Sequence, residues 1–219
     1  MKKNIALLTG GYSGEAVISY KSAKTIGANI DRNKFSVYLV DIRVEGWYCE
    51  MPDGSKLPVD KNDFSVTRGE EKIIFDAAFI CIHGTPGEDG KLQGYFDTLK
   101  IPYTSCDAAT SAITFNKRYT VAVASMAGIA VAKSFHLFKH SYTGAAAIMD
   151  QLVYPVFVKP NNGGSSIGMS KVNRKEDLDT AIQKAFREDD QVLVEQMIKG
   201  REFTVGVYKI KGKINVLPL

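Results

Sequence analysis

Ile5-Ala6-Leu7-Leu8-Thr9-Gly10-Gly11-Tyr12-Ser13-Gly14-Glu15 begins with four consecutive apolar residues and stops at paired glycines. A short, unbroken apolar run bounded by a turn signal predicts a strand buried on both faces. From about Ser13 to Ile30 the pattern turns helical, with Val17, Ala23, Ile26 and Ile30 near one face. The same grammar recurs downstream. Phe35–Val40 is rich in β-branched and aromatic residues, and Ala77–Ile82 is wholly apolar and ends at His83-Gly84. Leu92–Leu99 predicts a short helix, and Ile101–Thr104 a further strand. Apolar strands alternating with helices predict an α/β unit built on a Rossmann-like parallel sheet with helices on both faces. Ligands of such sheets collect at the carboxyl ends of strands. Here those ends are Gly10–Glu15 and His83–Gly90. The stretch around Asp53-Gly54 carries a turn signal but no assignable element.

The character changes after Cys106. Asp107 is placed to cap an Ala-rich helical region reaching toward Met126. Val131–Leu137 predicts a strand, Thr143–Gln151 a helix, and Val156–Lys159 a strand broken by the loop that starts at Pro160. Met169–Val172 resumes as a strand. Glu176–Arg187 is amphipathic, with Leu178, Ala181, Ile182, Ala185 and Phe186 at helical spacing. Val192–Gln196 predicts a strand, and Phe203–Lys209 with Lys213–Leu217 a hairpin around Lys211-Gly212. A second, α+β unit therefore begins near residue 106.

Composition narrows the function. The 219 residues are 45% hydrophobic and 24% charged, enough apolar side chain for a real core and too much for a disordered chain. Against 24 acids the 28 Lys and Arg leave a net charge of +4, with no concentrated basic stripe, so nucleic acid is not an expected partner. Three cysteines (Cys49, Cys81 and Cys106) without CxxC spacing argue against a disulfide framework or zinc site. No segment approaches the roughly 18 apolar residues of a membrane span, and Ile5–Leu8 is too short for a signal-peptide core. A soluble, cytoplasmic protein without a membrane partner is expected.

Three loops carry candidate chemistry. Gly10–Glu15 is a glycine-rich strand-to-helix turn whose backbone amides suit an anion. It lacks the GxGxxG register, which would need glycine at Thr9. On its own it reads equally as a tight structural turn, and Glu15 would discourage a phosphate but receive an ammonium group. His83–Lys91 is not a P-loop, since Thr85 and Leu92 stand where that motif needs Gly and Ser/Thr. It is a binding-loop candidate, with His83 equally a hydrogen-bonded turn histidine. Lys159 to Gly168 places a lysine at a strand end before Gly163-Gly164-Ser165-Ser166. Such a donor-rich hairpin loop can fold over a triphosphate, with the lysine neutralising charge; a plain mobile hairpin is the alternative. Glu195 ends the strand that starts at Val192, where it can accept from ribose hydroxyls or simply be solvated.

Taken together, Gly10-Gly11 with Glu15, His83–Gly94 (HGTPGEDGKLQG), Val158–Val172 (VKPNNGGSSIGMSKV) and Leu193–Val207 (LVEQMIKGREFTVGV) resemble the D-alanine–D-alanine ligase family of ATP-grasp enzymes. Ile101–Lys117 is similar to that family's domain junction. The resemblance implies ATP-dependent ligation of two D-alanines through an acyl phosphate, with Mg2+ or Mn2+, giving a dipeptide for peptidoglycan synthesis. It implies that Glu15 binds the first substrate's ammonium, that Ser165 orients Glu15 and that substrate, and that His83 lies near the substrate carboxylate. It assigns Lys117 and Lys159 to the nucleotide phosphates, Gly163, Gly164, Ser165 and Ser166 to the lid over them, Glu195 and Glu202 to the ribose, and Met197 and Ile198 to the adenine hinge. Met197 stands where several relatives carry a bulkier aromatic, and Ala16-Val17-Ile18-Ser19 where relatives often carry a charge.

The resemblance further implies a substrate-binding pre-ATP-grasp domain at 1–105, a central ATP-grasp lid domain at 106–196, and the start of a third, C-terminal domain at 197–219. The family's chain continues for roughly another hundred residues, one small domain, and its metal ligands are expected there, with none within this chain. A chain ending at Leu219 is accordingly expected to be inactive alone, which leaves a non-catalytic ligand-binding fragment as one alternative function. Another ATP-grasp carboxylate–amine ligase is the other alternative, and Glu15 with His83–Gly94 argues against it. A homodimer through the N-terminal domain is carried over as an expectation.

Overall fold

A computed structural model describes residues 2–218. The first unit is a seven-stranded sheet: β1 (Lys3–Gly10), β2 (Phe35–Ile42), β3 (Trp47–Glu50), β4 (Lys56–Asp60), β5 (Ser65–Arg68), β6 (Glu71–Ile73) and β7 (Ala77–Ile80), in the order β6-β5-β4-β3-β2-β1-β7. β1 runs parallel to β2 and β7, with Ile5 opposite Val37 and Ala77. This is the Rossmann-like part that the apolar runs predict. The sheet is not parallel throughout, however. β3 to β6 form an antiparallel meander in the stretch that the sequence leaves unassigned. Ile101–Thr104 contributes only a bridge from Tyr103 to Ala78.

Two layers flank this sheet. α1 (Ala16–Asn29) packs Ala23 and Ile26 on Leu7, Val37 and Phe79. On the other face lies α2 (Lys91–Leu99), where Leu92 and Phe96 are buried against Leu8, Val40, Ile42 and Phe64. Phe64 and Phe96 meet edge to face at 4.8 Å, and Trp47 meets Tyr95 at 5.3 Å.

The Ala-rich region forms two helices, α3 (Ala108–Phe115) and α4 (Lys117–Met126). Asp107 caps the first, its side chain accepting from Thr110 N at 2.7 Å. The break falls at Asn116, whose backbone is extended (φ −86°, ψ 108°) and whose side chain caps the second helix. Beyond them, β8 (Ser134–Phe138), β9 (Val156–Pro160), β10 (Ser170–Val172) and β11 (Gln191–Gln196) make an antiparallel sheet ordered β10-β9-β11-β8. The predicted helix at Thr143–Gln151 is reduced to the single turn α5 (Ala146–Met149). α6 (Leu178–Ala185) lays Leu178 and Ile182 on Val156, Val158, Val192 and Val194. Since side chains alternate along a strand, Phe157, Lys159, Leu193 and Glu195 share the opposite face. The hairpin β12 (Val207–Ile210) and β13 (Lys213–Val216) starts later than its apolar pattern suggests. Among the described residues no helix is long and apolar enough to cross a membrane.

Candidate active site

Glu15 is the N-cap of α1 and only 3% exposed. A carboxylate so buried needs donors. They come from the second unit: Ser165 Oγ donates to Oε1 at 2.9 Å and Gly164 N to Oε2 at 3.3 Å. The approach requires glycine on both sides. A Cβ on Gly164 would lie 2.9 Å from Glu15 Oε1, and one on Gly84, whose φ is +74°, would lie 2.5 Å from Ser13 Oγ and 2.7 Å from Glu15 Oε2.

His83 follows β7 and is fixed onto α1 by two serines. Its backbone N–H donates to Ser19 Oγ at 3.0 Å, and its Nε2 lies 3.0 Å from Ser22 Oγ. Ser19 Oγ in turn donates to the Glu15 carbonyl at 3.4 Å. Glu15, Ser19 and Ser22 fall at i, i+4 and i+7, one face of a helix. That spacing is a sequence signal for the two serines, which the motif reading missed. Glu88, also missed, closes the loop by accepting from Gly84 N at 2.6 Å.

Lys117, Lys159 and Gly163–Ser166 line one pocket of about 170 Å³. Lys117 is the first residue of α4, and its ammonium donates to Gly163 O at 2.6 Å. Burial, and then the neighbouring Lys159 cation, holds the Lys117 amine below its ordinary pKa, with Asp189, Glu15 and Glu195 acting in the opposite sense. A polyanion entering this pocket would relieve that repulsion. The loop over it is tight: Ser165 and Ser166 have φ of 51° and 58°, the left-handed region that non-glycine residues avoid. Asp189 anchors its start, accepting from Asn162 N at 2.6 Å and Nδ2 at 2.8 Å.

Glu195 lies on the same sheet face and is ion-paired with Lys159. Met197 is tied at the end of β11, its N–H donating to Pro155 O at 3.1 Å, and with Ile198 it lines a second pocket of about 520 Å³ beside Lys133 and Tyr154. Glu202 is exposed and has no hydrogen bond or ion pair among the described residues. The structure thus joins Glu15 to Ser165 and Gly164, joins Lys117 and Lys159 to the loop, and leaves Glu202 apart.

Comparison with known proteins places the chain in a family. Residues 4–106 match the family described as D-ala D-ala ligase N-terminus, and residues 123–219 match D-ala D-ala ligase C-terminus. The D-alanine--D-alanine ligase of Bacteroides fragilis (strain YCH46) is 44% identical over 219 residues, 100% of this chain and 68% of the relative. The chain belongs to the D-alanine–D-alanine ligase family. A D-alanine--D-alanine ligase of Phocaeicola vulgatus is 46% identical with the same coverage. Among solved structures, D-alanyl-alanine synthetase A from Vibrio cholerae matches with a TM-score of 0.86 and 32% identity over 98% of this chain and 65% of that one. VanG D-Ala:D-Ser ligase from Enterococcus faecalis matches with 0.84 and 33% over 99% and 68%. The chain spans about two thirds of the length of these members of the ligase family. Their ATP-grasp fold accounts for the second sheet.

Proposed function

We propose that the protein joins two D-alanines at the expense of ATP. The observation that carries this reading is the contact of Glu15, a buried acid on the first unit, with the Ser165 hydroxyl and Gly164 amide of a loop that also borders two lysines. An ammonium receptor and a phosphate cradle meet at one loop.

The chemistry follows from the parts. A carboxylate oxygen is a poor leaving group, so it must first be phosphorylated. The first D-alanine's carboxylate attacks the γ-phosphorus of ATP, the bond to the bridging oxygen breaks, and ADP leaves. The unprotonated amine of the second D-alanine then adds to the acyl carbon, the C–O bond to phosphate breaks, and the amine's proton goes to solvent or base. Glu15 holds the ammonium of the first substrate and so aims its carboxylate. Ser165 holds Glu15. His83, fixed by Ser19 and Ser22, borders the carboxylate end. Lys117 and Lys159 offset the charge of the phosphates, and the glycine-serine loop supplies N–H donors and excludes water. Glu195 accepts from the ribose, and Met197 and Ile198 flank the base. The family also implies a divalent metal. Among the described residues no three His, Cys, Asp or Glu side chains converge, so these residues by themselves do not make a metal centre. The dipeptide product fits a role in peptidoglycan assembly.

The test uses the full-length protein with ATP and D-alanine. Equal yields of ADP, phosphate and D-alanyl-D-alanine are expected, with L-alanine inert. Glu15→Gln removes the charge partner of the ammonium and is expected to raise KM for the first D-alanine about 10–100-fold, the worth of a charge-assisted hydrogen bond. ATP turnover without dipeptide, or E15Q with unchanged KM, overturns the reading.

A further inference from the structure

α4 shows a complete account of its N-terminal amides, and two asparagines supply it. The first four N–H groups of a helix have no partner within it except at the cap. Here Lys117 N donates to Asn161 O at 3.1 Å and Arg118 N to Asn161 Oδ1 at 2.9 Å. Tyr119 N donates to Asn116 Oδ1 at 3.1 Å, and Thr120 N to Asn116 O at 2.9 Å. Asn116 is the local cap. Asn161 caps the same helix from 43 residues away along the chain.

Asn161 is fully buried at 0% exposure. Its backbone φ is not positive, so left-handed conformation is not the reason for an asparagine. Its amide nitrogen has no partner among the described residues, which leaves the bond from Arg118 N as the one use of its side chain. Its own N–H donates to Gln191 O at 2.9 Å, which continues the β9–β11 pairing by one residue past Pro160. Asn161 therefore belongs rigidly to the sheet that carries Lys159, two residues before it, while its two oxygens hold the helix that begins with Lys117. Gly163, whose carbonyl receives the Lys117 ammonium, comes two residues after it.

We propose that Asn161 is a positioning residue for nucleotide binding: by capping α4 in trans, its carbonyl and side-chain oxygens set the Lys117 amine against Lys159 and the glycine-serine loop. This rests on the phosphate-binding reading of that pocket. Asn116 provides the internal control, because its side chain caps the same helix without bridging to the sheet. Loss of either side chain removes one cap bond; only loss of the Asn161 side chain weakens the tie between the helix and the end of β9, which then rests on the backbone bond from Lys117 N to Asn161 O.

The experiment is calorimetric titration of MgADP and a magnesium-bound non-hydrolysable ATP analogue into the full-length protein, comparing N161A and N116A with the wild type. N161A is expected to weaken nucleotide binding at least fivefold and N116A less than twofold. N161S, whose hydroxyl is too short to reach Arg118 N, is expected to follow N161A and provides the test if N161A does not fold. Equal affinities for N161A and N116A, or wild-type affinity in both position-161 variants, overturn the inference and leave the function standing. A wild-type protein that binds neither nucleotide overturns both.

Discussion

The two units that meet at Glu15 and Ser165 are built on different cores and hold their halves of the site in different ways. The first is aromatic: Trp47, Phe64, Phe75, Tyr95 and Phe96 interlock across the seven-stranded sheet. The second is aliphatic, with Val156, Val158, Val192 and Val194 under Leu178 and Ile182. In the first unit Glu15 is buried and His83 is bonded through both backbone and ring. In the second, Ser165 and Ser166 are exposed and held at left-handed φ, a conformation costing on the order of 1–3 kcal/mol per residue. In the proposed function, substrate recognition sits on this preformed surface. The glycine-serine loop is strained, and strain of this kind clusters at active sites, ligand clamps and switch regions. Under the proposed function, the difference assigns firmness to the amino-acid half and compliance to the nucleotide half.

The hardest test of this division is to weaken each core separately. Phe96→Ala is expected to cost about 3–5 kcal/mol and Ile182→Ala about 2–5 kcal/mol, as truncations of fully buried side chains. Hydrogen exchange on the two variants tells the regions apart. F96A is expected to lose protection in β1, β2 and β7 while β9 and β11 keep theirs, and I182A to do the reverse. Equal loss across both sheets in either variant would make the two cores one cooperative unit and end the comparison.

The first unit's strands and the second unit's amphipathic helix were legible because burial writes itself as pattern. Ile5–Leu8 and Ala77–Ile82 are continuous apolar runs, and Leu178, Ala181, Ile182 and Ala185 keep helical spacing. β3 to β6 were not legible. They are three to five residues long and interrupted by Asp, Gly and Lys, and their pairing is fixed by packing under Trp47, Phe64 and Phe75 rather than by local propensity. The split at Asn116 was hidden for a related reason, since an Ala-rich run does not reveal an extended residue held by capping bonds. Of the site, the motif residues Glu15, Lys159 and Ser165 were legible as types at strand ends and loops. The contact between Glu15 and Ser165 spans 150 positions and depends on how the units dock. Ser19 and Ser22 left a helical-face signal, whereas Asn161 left none, because its role lies in a helix it does not follow.

A smaller effect sharpens the boundary between the units. Asn116→Ala removes the acceptor of Tyr119 N and is expected to cost about 1 kcal/mol, the usual worth of an N-cap side chain. Urea unfolding checks the value, and fraying should be confined to α4. Spread of the loss into β1 or β2 would mean that α4 supports the aromatic core as well as the pocket of Lys117 and Lys159.

The smallest effect separates the regions by acidity. In the first unit Asp53 and Asp63 are held below the ordinary carboxylate pKa of 3.8, by Ser55 hydrogen bonds and by the Lys72 hydrogen bond respectively. Their contribution is present above pH 3.8 and is lost only as the pH falls through the folded values. In the second unit His136 on β8 packs edge-on against Phe138 at 4.5 Å, and burial, then the Arg118 cation, holds its ring below the ordinary 6.5. Above pH 6.5 the ring is neutral folded and unfolded alike. Below it the unfolded chain takes up a proton that the folded ring resists, so stability declines until the pH passes the folded pKa and then levels. Acidification from pH 7.5 to 5 is therefore expected to loosen the second unit first, seen as lost exchange protection in β8 and β11 with β1 and β2 unchanged. His136→Gln cannot titrate and should flatten that decline. If the decline persists in H136Q, the ring does not set the acid limit of the second unit, and the contrast in acid tolerance between the two halves fails.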